Sequence, residues 1–343
     1  MKNRLFSAAI AGVVAITGLV GLTSCGSGDT SEKDGKIEIT NVSYDPTREL
    51  YAEYNEAFKK YWKDKTGQDV EITQSHGGSG KQALEVANGN RADVVTLALE
   101  YDVKEVQNAG LIEDGWISEF PLDSSPYTST IVFLVRKGNP KNIQDWGDLV
   151  NDGVGIITPN PKTSGGARWN YLAAWAYAEE LYGGDETQVV DFITKIFNNV
   201  LVLDSGARGA TTTFVENGQG DVLLAWENEA FLSLEEYPDD YEIVTPSVSI
   251  LAQPSVAVVD KIVDKYDTRE VATEYLNYLY SDEAQRIEGK NYYRPSNEDI
   301  LNEFADVFDL NINLVTINDF GGWDEAFAKH FAEGAIFDQI YNE

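Results

Sequence analysis

Apolar residues along this chain follow two periods in turn, short strand-like runs and longer stretches at helical spacing. Residues 36–44 read as a first strand. Asp45-Pro46 then opens a helix, with Asp45 as its cap and Pro46 at the first helical position. Leu50, Tyr54, Phe58, Tyr61 and Trp62 follow at helical spacing until Gly67 ends it. Residues 69–73 predict a strand, 81–87 a short helix, and 93–98 a near-continuous apolar strand of the kind a parallel sheet buries on both faces. Strands are predicted again over 129–136, 153–158, 200–203, 221–225, 241–245 and 255–259. Helices fall over 164–182, 211–216 and 268–280. Such alternation predicts an α/β fold with mostly parallel sheets. A chain of 343 residues is comfortable for two lobes of ordinary domain size.

The first 24 residues stand apart from this pattern. Lys2 and Arg4 precede a mostly apolar run of small residues that ends at Leu22-Thr23-Ser24-Cys25, which predicts an export signal. The chain's only cysteine sits at the end of that signal, in a sequence that resembles a bacterial lipobox. Cys25 is therefore expected to carry a lipid anchor, and residues 25–35 to form a flexible polar tether. A lone cysteine also excludes an intramolecular disulfide.

The formal net charge is −31. Such a surface repels nucleic acid and anionic lipid, and no nucleic-acid partner is expected. Fields between exposed charges fade over about 8–10 Å at physiological salt, so an acidic chain can still bind an anion through local donors. The carboxylates are read as solvating surface charge.

Chemistry concentrates where strands hand over to helices, at the carboxyl ends of the strands. Three junctions share one composition: Ser75-His76-Gly77-Gly78-Ser79-Gly80-Lys81, Lys162-Thr163-Ser164-Gly165-Gly166-Ala167-Arg168 and Asp204-Ser205-Gly206-Ala207-Arg208-Gly209. Glycine lets backbone approach a ligand closely, and the first turn of a helix leaves amides unpaired. Such a terminus favours an anion. A nucleotide-binding loop is excluded, because Ser75 stands where the first glycine belongs and Gln82 where a hydroxyl should meet magnesium. Two histidines, His76 and His330, are too few for a His-rich metal site, and no metal or cofactor is expected. Helical aromatics such as Tyr171, Trp175, Tyr275 and Tyr278 are read as core. Trp226 closes an apolar strand where its carboxyl end meets the cleft, and indole offers a donor without an acceptor.

These residues carry a resemblance. Residues 41–50, the first loop, Pro126-Tyr127-Thr128-Ser129-Thr130, residues 164–171 and the third loop are similar to the sulfate-binding proteins of ABC importers. So are Gly220-Asp221-Val222-Leu223, Ala225-Trp226-Glu227-Asn228-Glu229, Tyr292-Tyr293-Arg294-Pro295 and Phe320-Gly321-Gly322-Trp323. The resemblance implies a two-lobed, hinge-connected periplasmic binding protein of the second topological type, each lobe a mostly parallel sheet flanked by helices. Lobe 1 would comprise 36–125 and 255–343, and lobe 2 126–254. It implies that Ser79 and Ser164 bind sulfate as hydroxyl donors, Gly165, Gly166 and Ala207 as backbone donors, and Trp226 as an indole donor. Asp45, Arg168 and Arg208 would steady the loops. Thr163 stands where the family has a serine. An exported monomer is implied, periplasmic or on the outer surface, passing sulfate or thiosulfate to a membrane permease and catalysing nothing. Molybdate and phosphate stay open as ligands; an exported sulfatase or phosphatase would need a nucleophile and a metal constellation that the sequence lacks.

Overall fold

The computed structural model describes residues 36–341, so the export signal, Cys25 and the tether lie outside the described residues. Nine strands form two sheets. β1 (Lys36–Tyr44), β2 (Asp69–Gly77) and β3 (Val94–Leu97) belong to the first; β4 (Ile131–Arg136), β5 (Ile156–Pro159), β6 (Val200–Asp204), β7 (Val222–Trp226) and β8 (Tyr241–Val244) form the second; β9 (Ser255–Val258) returns to the first. The first sheet runs β9-β3-β1-β2 and the second β6-β5-β7-β4-β8. Both are mixed. β1 pairs parallel with β2 and β3, while β9 joins β3 antiparallel; β5 pairs parallel with β6 and β7, while β4 runs antiparallel to β7 and β8. Four of the seven pairings are parallel, as expected of an α/β fold, and all three antiparallel ones involve β4 or β9, each the first of these strands after the chain passes from one sheet to the other.

This topology gives two lobes. The chain must leave the first sheet before β4 and return after β8. Near those passages Tyr127–Thr128 pairs antiparallel with Arg294–Pro295, and Ser129 bridges Ala252. The arrangement is that of a two-lobed α/β binding protein.

Helix α1 (Arg48–Thr66) shows how sequence builds the layers. Leu50, Tyr51, Tyr54, Phe58 and Trp62 are buried along one stripe, and Gly67 ends the helix in a left-handed conformation (φ 79°) that spares an L side chain's clash. Asp45 does not cap it. Residues 45–47 form a 3-10 turn without a side-chain cap, and the Asp45 carboxylate accepts from Arg48 Nη2 at 2.9 Å instead. Tyr171, Trp175, Tyr275 and Tyr278 are buried, as core aromatics should be. Among the described residues no helix is long and apolar enough to cross a membrane.

Candidate functional site

Three further helices begin at the glycine-rich junctions: α2 (Ser79–Ala87), and, from the second lobe, Gly165–Tyr182 and Ala207–Val215. Two of them start earlier than composition suggests, and the third begins one residue after the expected position 164, which Ser164 occupies as N-cap. Ser79 is the first residue of α2, not part of a loop before residue 81, and Ala207 opens a helix expected only from residue 211. The glycines and serines are therefore first-turn and cap residues, whose amides have no intrahelical acceptor.

The junctions meet. A side chain at Gly78 would stand 2.8 Å from the Thr163 carbonyl and 3.0 Å from that of Ser205, so all three loops touch at this one backbone position. A Cβ on Gly165 would meet Asp102 Oδ2 at 2.6 Å, Leu99 Cδ2 at 2.8 Å and Ser79 Cβ at 3.0 Å, every one of them from the first lobe. A Cβ on Gly206 would lie 2.5 Å from Asp45 Oδ2. Glycine is needed here for close approach between lobes, with the backbone in ordinary conformation. Tyr44, Asp45, Pro46, Gly77, Gly78, Ser79, Ser164, Gly166 and Ala207 line the small cavity that results.

Two hydroxyls there already act as acceptors. Ser79 Oγ accepts from the Ala98 amide at 3.0 Å, and Ser164 Oγ, capping its helix, accepts from the Ala167 amide at 3.3 Å. Among the described residues neither hydroxyl has another partner, so each keeps its proton for a ligand. The backbone amides of Gly165, Gly166 and Ala207 likewise have no backbone acceptor among the described residues. Trp226 is 1% exposed and tilts against Tyr44, ring centroids 5.3 Å apart. Its indole N–H donates to the Gly166 carbonyl at 3.2 Å, and the ring lines an adjoining cavity with Ala207. Thus the structure brings Ser79, Ser164, Gly165, Gly166 and Ala207 together and sets Trp226 beside them.

Both arginines of the junctions are committed to carboxylates. Arg168 Nη1 donates to Asp102 at 2.8 Å and Nε to the Pro161 carbonyl at 3.0 Å, all buried. Arg208 grips Glu49 with both Nη atoms (3.0 and 2.8 Å) and reaches Glu229 at 2.9 Å. Burial alone would raise the Glu49 carboxyl, but the Arg208 guanidinium holds it below the usual range. At Glu229 burial wins and lifts the carboxyl, although Arg208 and Thr211 oppose it. The two carboxylates raise Arg208 further, against its own burial. Arg168–Asp102 and Arg208–Glu49 span the lobes, since Asp102 and Glu49 belong to the first, whereas Arg208–Glu229 lies within the second. Asp45 sits at the cavity wall.

Asp102, Glu49 and Glu229 were not singled out by the sequence. In so acidic a chain they read as solvating charge, yet Asp102 is 1% and Glu229 2% exposed, and Glu227 pairs with Arg294 in the interior. The one available signal for Asp102 was its place just beyond the buried β3 strand. Gln82, which breaks the nucleotide-loop pattern, bonds the Ser43 carbonyl and Ser75 Oγ. His76 is not a pH-responsive neighbour: burial and the nearby Arg48 lower its imidazole to about 4. Among the described residues no group of three or more His, Cys, Asp or Glu could hold a metal ion.

Comparison with known proteins identifies the family and the fold. Residues 39–294 match the model of the family described as bacterial extracellular solute-binding protein. The chain is 60% identical over 306 residues to a sulfate-binding protein of Salmonella typhimurium, covering 89% of this chain and 93% of that one. It is 48% identical over 306 residues to a thiosulfate-binding protein of Pseudomonas aeruginosa, covering 89% and 92%. The solved structure of the sulfate-binding protein SubI from Mycobacterium tuberculosis superposes with a TM-score of 0.77 at 32% identity, covering 86% of this chain and 99% of that one. The chain belongs to the family of bacterial extracellular solute-binding proteins, which are exported.

Proposed function

We propose that this chain is a sulfate-binding protein that encloses the anion between its lobes and delivers it to a membrane ABC importer. The observation that carries this reading is the donor set. First-turn amides and two hydroxyls converge on one small cavity, while both adjacent guanidiniums are neutralised by carboxylates. Sulfate near neutral pH carries no proton and only accepts hydrogen bonds, so a site made of donors suits it. Ser79 and Ser164 donate hydroxyls, Gly165, Gly166 and Ala207 donate amides, and Trp226 swings its indole from the Gly166 carbonyl to the anion. Asp45, Arg168 and Arg208 steady the loops. Helix N-termini supply the partial positive charge that offsets the ligand's charge.

Capture works by hinge closure of residues 36–125 and 255–294 over 126–254, with crossings near Tyr127–Thr128 and Arg294–Pro295; the C-terminal stretch expected with the first lobe, Asn313 to Phe337, packs on the second and moves with it. The protein is a monomer in this reading and performs no chemistry on the ligand. Phosphate keeps a proton in the same pH range and needs an acceptor for it, and the carboxylate among the lining residues, Asp45, is engaged by Arg48. Leaving that proton unmatched costs about 1–3 kcal/mol, so sulfate should win by roughly tenfold or more. Thiosulfate shares sulfate's acceptor-only chemistry and competes. Calorimetric titration of the purified protein with sulfate, thiosulfate, molybdate and phosphate tests the reading. Tight sulfate binding and weak phosphate binding support it, and preferred phosphate binding overturns it. We further propose that Cys25 is lipidated and anchors the protein to the membrane. Cys25→Ser should then release a correctly processed, sulfate-binding protein into the soluble fraction; a variant that stays membrane-bound contradicts the anchor.

A further inference from the structure

Lys162 lies two residues before Ser164, in the second donor loop. Its ammonium donates to the carbonyls of Phe331 (3.0 Å) and Ala332 (3.3 Å) and pairs with Asp338 at 2.5 Å. Phe331 is the C-terminal cap of the helix Trp323–His330, where the carbonyls left unpaired carry partial negative charge. Asp338 in turn accepts from the Gly334 amide at 2.7 Å, closing the turn beyond that helix. One side chain of the donor loop thus fastens the end of the C-terminal helix and the turn after it.

The C-terminal segment is seated on the second lobe. Residues Asn313–Val315 pair parallel with Val248–Ile250, Phe331 packs edge-on against Tyr171 (5.2 Å), and Phe337 does the same against Phe197 (5.2 Å). Its helix also reaches the first lobe. Phe327 stacks on Tyr101 with centroids 3.9 Å apart, and Asp324 forms an ion pair with Lys104, both partners on the first-lobe helix Glu100–Asn108. Trp323 stands edge-on to Trp169, whose indole donates across the lobes to the Ala98 carbonyl at 2.9 Å. Arg168, paired with Asp102, lies 5.1 Å from the Phe327 ring. The helix is therefore wedged over the seam beside the anion cavity. Opening the lobes must break its contacts with Tyr101 and Lys104.

We propose that Lys162 is a positioning residue for anion capture, fixing the C-terminal helix to the donor loop so that this helix clasps the lobes shut over the anion. The inference rests on the sulfate-binding reading above. A clasp that exists only in the closed form slows release more than it slows capture, because its contacts form after encounter.

The test uses the full chain with Lys162→Met, which keeps an apolar stem of similar reach, Lys162→Arg, which keeps the charge, and Tyr101→Ala on the opposite lobe. Sulfate dissociation is followed by stopped-flow tryptophan fluorescence, and amide hydrogen exchange is measured over residues 163–167 and 323–332 without ligand. Lys162→Met should release sulfate about three- to tenfold faster with association within about twofold of wild type, and both segments should exchange faster. Lys162→Arg should remain within about twofold. Tyr101→Ala should also speed release but leave exchange over 163–167 unchanged, separating the clasp from its anchor. Wild-type release and exchange in Lys162→Met, or a Lys162→Arg no better than it, overturns the proposal. If wild-type protein binds no sulfate, the functional reading fails, while the exchange contrast still decides whether Lys162 holds the loop.

Discussion

Gly165→Ala should separate binding from stability. The added methyl enters no void: it would stand 2.6 Å from Asp102 Oδ2, 2.8 Å from Leu99 Cδ2 and 3.0 Å from Ser79 Cβ. Ordinary contact begins near 3.4 Å, so the lobes must part by about 0.4–0.8 Å at this point. Asp102 cannot swing aside cheaply, because Arg168 holds its other oxygen at 2.8 Å and both side chains are buried. All three obstacles belong to the first lobe, whereas Gly165 opens a second-lobe helix. Only the closed form therefore suffers. Overpacking of this kind costs about 1–3 kcal/mol, which weakens sulfate binding roughly five- to 150-fold. The ligand-free protein can open and escape the clash, and alanine is a better helix residue than glycine. Its melting temperature without sulfate should be unchanged or slightly higher. Gly67→Ala is the opposite control. Nothing lies within 4 Å of a Cβ there, but φ is 79°, so the variant should lose about 1 kcal/mol of stability and keep its affinity. Titration calorimetry and thermal unfolding of both variants decide the matter. A Gly165→Ala protein that binds sulfate like wild type would refute the idea that these loops close on each other around the ligand.

Arg208→Met strands the buried Glu229 and frees Glu49, and should cost about 2–3 kcal/mol at pH 8. Arg208 holds Glu49 below the usual range and restrains the burial-driven rise of Glu229, so its contribution is complete while both are ionised and fades as pH falls, first where the raised Glu229 carboxyl takes up its proton and then through the lowered Glu49 value. The penalty should accordingly shrink toward pH 4.5, and Arg208→Met combined with Glu229→Gln should recover much of it; a penalty equal at both pH values in urea unfolding contradicts the assignment. His330, buried among Tyr171, Trp175 and Phe331, has its imidazole lowered to about 3 by burial and, secondarily, Lys329. The unfolded chain takes up this proton near pH 6.5 while the folded one refuses it, so stability is lost as pH falls below that value. His330→Phe should lose about 2 kcal/mol less than wild type between pH 6.5 and 4.5; parallel pH profiles would remove His330 as a source of acid sensitivity.

Much of this architecture is legible in the chain because its signals are local. The β1 strand, the Leu50-to-Trp62 stripe and Gly67 declare themselves through period and backbone freedom. The three donor junctions are legible for the same reason, since close backbone approach demands glycine. Helix starts at Ser79 and Ala207 are less visible, because a first turn rich in Gly and Ser has the composition of a loop. Asp45 looks like a cap until Arg48, three residues on, claims its carboxylate. Asp102, Glu49 and Glu229 stay hidden because their arginine partners come from segments distant in the chain, across the lobes for Asp102 and Glu49. No periodicity announces that. The same holds for the C-terminal helix, whose partners Tyr101, Lys104, Lys162 and Tyr171 lie more than a hundred residues away.

Selenate is a close analogue of sulfate whose selenium scatters anomalously, so diffraction from crystals grown with it locates the anion independently of the protein phases. The expected result is one strong anomalous peak between the lobes, with oxygens within hydrogen-bond distance of Ser79 Oγ, Ser164 Oγ and the amides of Gly165, Gly166 and Ala207. Arg168 should remain on Asp102 and Arg208 on Glu49 and Glu229. A peak held by either guanidinium, or no peak in the cleft at saturating selenate, would contradict capture by uncharged donors.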